Sequence, residues 1–166
     1  MSGYQLAQVN IGVIKGPMDS PVMADFAGNL DRVNALAESM PGFVWRLQTD
    51  DGDATSIRPF ENENMLVNMS VWRDIKALND YVYRSAHVEL MRRRKDWFER
   101  MDEAFLVLWW VPAGHRPTVA EAVVRLELLR AKGPTPEAFT FRHPFATPDV
   151  MRGQVEAPFE DECPAA

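Results

Sequence analysis

What this chain of 166 residues has little of narrows it first. It carries one cysteine, Cys163, so no internal disulfide can form and no second thiolate is at hand for a zinc site. No apolar run approaches the ~20 residues a helix needs to cross a bilayer. Residues 1–10 (MSGYQLAQVN) show no basic segment leading into an apolar one, so the expected location is cytoplasmic, with no membrane partner. Positive charge is also short, with 18 Lys and Arg against 24 Asp and Glu and a net charge of −6. That balance argues against nucleic acid as a partner, because such binding depends on clustered cations that release phosphate counterions. The one basic cluster, Arg92-Arg93-Arg94-Lys95, points around a helix rather than to one side, with Arg94 turned inward. A glycine-rich phosphate loop, a nucleophile elbow and an HExxH motif are all missing. Flavin or nicotinamide binding, phosphoryl transfer and serine hydrolysis therefore have no support.

What remains is the composition of an ordinary globular domain, 46% hydrophobic and 25% charged. Residues 6–14 (LAQVNIGVI) alternate with period two, placing Ala7, Val9, Ile11 and Val13 on one face and Gln8 and Asn10 on the other. Ser20 can cap a helix with Pro21 at its first position, Phe26, Leu30, Val33 and Ala37 recur at helical spacing, and Pro41-Gly42 ends the run. A second strand follows at residues 43–48, with Phe43, Trp45 and Leu47 expected on one face. Residues 49–64 form an acidic, turn-rich connection. Its Asp50, Asp51 and Asp53 fit a solvated turn better than a calcium loop, since no glutamate stands at the required spacing; no metal site is expected.

The third strand, residues 65–72 (MLVNMSVW), puts Met65, Val67, Met69 and Val71 on one face and Leu66, Asn68, Ser70 and Trp72 on the other. Asp74 then caps a helix running towards Met101, with Ser85 the place where it could break. Residues 105–111 (FLVLWWV) read as a strand buried on both faces, its Trp109 and Trp110 facing opposite sides, one towards a pocket and one towards a subunit seam. A last helix starts at a capping box of Thr118 and Glu121 and stops at Gly133. His115, just before that box, is expected to brace its turn. The order β-α-β-β-α-β is the ferredoxin-like arrangement, an α+β fold with a four-stranded antiparallel sheet, here with an extra C-terminal helix. The expected domain spans residues 1–142, followed by a proline-rich, acidic, poorly structured tail at 143–166.

In that topology strands one and three are central neighbours, so Gln8 and Asn10 meet Asn68 and Ser70. Buried amides and hydroxyls need partners: each other, water or a ligand. On the long helix Tyr83, His87, Leu90, Arg94 and Trp97 are spaced by four, three, four and three residues, which aligns them on one stripe. A stripe so mixed in polarity suits the wall of a pocket or a wet subunit seam. Arg94 either clamps an anionic substrate with its planar fork or pairs with Glu89 or Glu99. Tyr83 either fills a core edge or touches substrate.

Three stretches, PGFVWRLQ, NMSVWRDIKALNDYVYRSAHVELMRRRKDWF and LWWVPAGHRPTVAEA, together resemble a bacterial family of unknown function grouped with the antibiotic-biosynthesis-monooxygenase-like, dimeric α+β-barrel proteins. The resemblance covers roughly residues 4–141. It implies a homodimer paired through its sheets, with a pocket in each subunit between sheet and helices. It also implies an oxidative or isomerising enzyme, monooxygenase-like, acting on an aromatic or polyketide-like small molecule. His87, Asn68 and Asn10 would be catalytic, and Tyr83, Trp72, Ser70, Arg94 and Trp97 would bind substrate. Cofactor-free chemistry is the first expectation. Haem is the alternative, with His87 as axial ligand and Arg93 and Arg94 on the propionates. A non-catalytic binding or stress protein is the third reading.

Overall fold

A computed structural model describes residues 3–48, 62, 64–85 and 87–156. The aspartates at 50, 51 and 53 and Cys163 lie outside the described residues. The strands are β1 (Tyr4–Val13), β2 (Phe43–Arg46), β3 (Met65–Trp72) and β4 (Leu106–Pro112), in the sheet order β2-β3-β1-β4 with every pairing antiparallel. This is the expected ferredoxin-like order. Between the strands run α1 (Ala24–Ser39) and then three short helices, α2 (Ile75–Arg84), α3 (His87–Arg92) and α4 (Arg94–Trp97). After β4 come α5 (Val119–Lys132) and α6 (Pro148–Glu156).

Local chemistry explains most boundaries. A 3₁₀ turn at Pro21–Met23 leads into α1, with Ser20 at its N-cap; the serine hydroxyl bonds to the Pro17 carbonyl instead of capping. Gly42, at φ +87°, makes the turn into β2, where a Cβ would lie 2.5 Å from the Ala77 side chain. Asp74 accepts from Ala77 N–H at 2.8 Å and starts α2. The long second helix breaks at Ser85, whose hydroxyl bonds back to the Tyr81 carbonyl and accepts the His87 N–H at 3.1 Å. The helix thus ends by handing its cap to the residue that opens α3. Thr118 accepts from Glu121 N–H, His115 Nε2 lies 2.9 Å from the Glu121 carboxylate, and Gly133, at φ +72°, closes α5. His115 braces its turn as expected.

The sheet has two unlike faces. Ala7, Val9, Ile11, Val67, Met69, Val71, Val107, Trp109 and Val111 make one, and none is more than 4% exposed. Ala122, Leu126 and Leu129 of α5 pack into this cluster. With α5 on this face, Trp109 is sealed inside its own chain on the side away from the expected pocket, its indole N–H without a partner among the described residues. Trp110 does not reach the pocket either: it packs with Phe139 and donates Nε1–H to the Phe145 carbonyl at 2.9 Å.

The second strand departs from simple alternation. A bulge lies between Phe43 and Trp45, which pair with Trp72 and Val71 respectively. Phe43 therefore joins the helix-side cluster while Trp45 and Leu47 join the cluster under α5. The three were expected on one face; the extra residue in the bulge separates them. Order also continues past residue 142. Phe139 exchanges two backbone hydrogen bonds with Leu108, capping the β4 edge, Phe145 packs on Phe139, and α6 follows. The expected loose tail is thus attached through at least its first part.

Candidate functional site

On the other face of the sheet, β1 and β3 bring their polar residues together in register, Gln8 opposite Ser70 and Asn10 opposite Asn68. Gln8 Nε2 donates to Asn68 Oδ1 and to Ser70 Oγ, both at 2.8 Å. Asn10 Nδ2 reaches Gln8 Oε1 and Asn68 Oδ1 at 3.2 Å. Trp72 Nε1 donates to Ser70 Oγ at 2.8 Å. Ser70 thus accepts twice and keeps its own proton to give, and Asn68 accepts twice while its N–H groups have no partner among the described residues. These residues floor a cavity of about 200 Å³ between the sheet and the helices α1 to α4.

His87 lines the same cavity. Its ring lies against Tyr81, centroids 4.7 Å apart, and Tyr81 in turn stacks on Trp72 at 5.1 Å. Nδ1 sits 3.4 Å from the Val82 carbonyl, which can only accept, so Nδ1 carries the proton and Nε2 the lone pair. Burial lowers the pKa of His87 below its ordinary 6.5, and the Val82 carbonyl only partly offsets this. The imidazole is neutral at neutral pH. Burial also raises the Tyr81 phenol above the usual tyrosine range, so it stays protonated.

The opposite end of the cavity is built where the chain after α4 hooks onto the end of β1. Lys15 N–H donates to the Trp97 carbonyl, Glu99 N–H donates to the Val13 carbonyl, and Ile14 bridges Phe98. This sets Arg94 against the sheet. Its Nη2 donates to the Ile11 carbonyl at 2.9 Å, and its guanidinium lies 4.7 Å from the Phe98 ring and 4.5 Å from that of Phe105. The expected ion pair with Glu89 or Glu99 does not form, since Glu89 pairs with Arg92 and α4 turns Arg94 inward to a carbonyl and two rings. Arg93 points outward instead, to Asp25 of α1 and Asp96.

The sequence matches a family described as a domain of unknown function, DUF3291, over residues 5–155. The chain belongs to DUF3291. A search of curated protein sequences finds no match. Among solved structures the chain is similar to SnoaB, a cofactor-independent oxygenase from Streptomyces nogalater. One SnoaB structure, a mutant, gives a TM-score of 0.45 at 16% identity over 69% of this chain and 97% of that one. Another gives 0.44 at 19%, over 69% and 96%. The NE2512 protein of unknown function from Nitrosomonas europaea gives 0.44 at 12%, over 70% and 95%.

In this DUF3291 chain all the expected site residues line the one cavity: His87, Asn68, Asn10, Tyr83, Trp72, Ser70, Arg94 and Trp97. Tyr83 is at its rim, half exposed and edge-on to Phe141. Among the lining residues not singled out from sequence, three bear on the site. Tyr81 stands on the buried stripe of α2 with Ala77, Leu78 and Val82, a helical spacing visible in the sequence. Arg46 is brought to this face by the β2 bulge and pairs with Glu38 at 2.7 Å. Gly12 is the next cavity-side position of β1 after Asn10; a Cβ there would lie 2.4 Å from the Phe98 ring and 3.1 Å from Arg94 Nη2. A glycine inside a strand marks such a close approach. Of the two arginines expected on haem propionates, Arg94 lines the cavity and Arg93 is turned away from it, paired with Asp25 and Asp96.

Proposed function

We propose that the chain is a monooxygenase-like enzyme that works without a cofactor on a small aromatic phenol or enol. The observation that carries this is one arrangement: a neutral imidazole whose Nε2 and an Asn68 amide whose N–H groups have no partner among the described residues, both lining one cavity. His87 is the base. It takes the phenol proton, and the Asn68 amide N–H groups hold the resulting oxyanion, while Asn10, whose own N–H groups go to Gln8 and Asn68, orients that amide. Trp72, Leu78 and Leu90 line the same cavity and give an aromatic ring apolar contact.

The electrons come from the substrate itself. With 1-naphthol as the probe, the naphtholate gives its electrons to O₂ at the para carbon, forming a C–O bond and a hydroperoxide. That hydroperoxide loses water as the para C–H proton leaves, and the product is 1,4-naphthoquinone. One naphthol and one O₂ give one quinone and one water, with no outside reductant.

The test is oxygen uptake together with quinone absorbance, for wild type, His87→Gln and Asn68→Ala. Uptake in wild type that collapses in both variants supports the reading. Equal uptake in all three removes His87 and Asn68 from the chemistry. No uptake with any phenol in a panel leaves a cavity that binds without turnover.

A further inference from the structure

The charge of the cavity wall is unlike that of the whole chain. The protein has six more acidic than basic side chains, yet among the described residues no carboxylate lines the cavity, while Arg46 and Arg94 both do. Arg46 is neutralised by Glu38. Arg94 is not: it is half-buried, has no carboxylate partner among the described residues, and uses one of its five N–H donors on the Ile11 carbonyl. Keeping a cation away from water without a counter-charge opposes folding, and burial pushes the Arg94 pKa down accordingly. The molecule nonetheless arranges for it. Gly12 leaves the space, Phe98 and Phe105 flank the guanidinium, and the hook after α4 fixes its backbone.

We propose that Arg94 is an anion clamp and that the natural ligand of the cavity is an aromatic acid of one or two rings. The inference rests on reading the cavity as the substrate site, and it adds the substrate's charge and size. Size follows from volume: an apolar cavity of ~150 Å³ takes up benzene, and this one is about 200 Å³. Spacing follows from the strand. Arg94 contacts β1 at Gly12, one step along the same face from Asn10, or ~7 Å at the usual rise per residue. A single aromatic ring with a carboxylate at one end and a hydroxyl at the other spans that step. Four guanidinium N–H groups remain for the carboxylate, in the fork geometry that accepts it with two parallel bonds.

The experiment compares naphthalene-2-carboxylate with naphthalene-2-carboxamide by calorimetry at neutral pH. The two have the same rings and differ in charge. Wild type is expected to bind the acid at least about ten-fold tighter, as charge-assisted hydrogen bonds imply. Arg94→Met should abolish the preference while leaving the amide within about three-fold. Equal affinities in wild type overturn the clamp without any variant having to fold, and absence of binding by both compounds into the millimolar range overturns the ligand class. A preference that survives in a folded Arg94→Met protein also overturns it. Binding is read without turnover, so a flat oxygen trace removes the enzymatic reading and leaves the acid preference standing, and the converse holds too.

Discussion

The two faces of the one sheet are made from alternate residues of the same strands, yet they are built to opposite rules. Under α5, Val9, Ile11, Met69 and Trp109 are sealed from solvent in an apolar cluster. One residue further along each strand, Gln8, Asn10, Asn68 and Ser70 form a linked set of amides and a hydroxyl. Apolar burial contributes roughly 25 cal/mol per Å² without demanding geometry, whereas a buried amide must find a partner or lose 1–3 kcal/mol. The second face also buries Leu6, Trp72, Leu108 and Phe139 in a cluster of its own, so both faces hold the fold and only the second sets a linked polar group among its apolar residues.

Four substitutions or conditions sharpen that contrast, from the largest expected effect down. His87→Gln should cut oxygen uptake by ~10²–10⁴-fold, the range of general base catalysis, with stability changed by less than ~1 kcal/mol in chemical denaturation; a comparable loss of both would make His87 a packing residue. Trp109→Ala, on the face under α5, should do the reverse. It should cost ~3–5 kcal/mol of stability, while the folded fraction binds cavity ligands as wild type does. A ligand-binding defect there would show that the faces are coupled.

Ser70→Ala tests the second face as structure. It leaves the buried Trp72 N–H and one Gln8 N–H without acceptors, for a loss of ~1–3 kcal/mol by denaturant titration. A neutral result would mean that water enters and replaces the hydroxyl. The smallest effect is with pH. His87 has a folded-state pKa below 6.5, so the unfolded chain takes up its proton first as pH falls. The stability linked to His87 is therefore complete above pH 6.5 and is lost as pH drops through the folded value. The slope should vanish in His87→Gln, as measured by thermal melts across pH 4.5–7.5.

Much of this was legible from the residues. Period-two alternation sorted the faces of β1 and β3, and the ferredoxin-like order made those strands neighbours, so the meeting of Gln8 and Asn10 with Asn68 and Ser70 followed. The stripe from Tyr83 to Trp97 did come to the cavity, although as three short helices. The bulge in β2 was not legible, because an extra residue leaves the composition of FVWRLQ unchanged while reversing its side-chain directions. The partner of Arg94 was not legible either. Carboxylates at helical spacing, Glu89 and Glu99, looked like the natural choices, and the backbone carbonyl that won is 83 residues away in sequence.

Taken alone, the sequence determined which residues share a face, where helices start and stop, and that no nucleotide loop or disulfide is present. These depend on neighbours a few positions apart, through alternation, helical spacing and capping. Only the tertiary structure decided that α5 seals one face of the sheet, that residues 138–145 return along the β4 edge, and that Arg94 faces a cavity with no carboxylate among the described residues of its wall. Each of those is settled by contacts between distant segments, where the sum of buried area and satisfied polar groups over the whole fold outweighs any local preference.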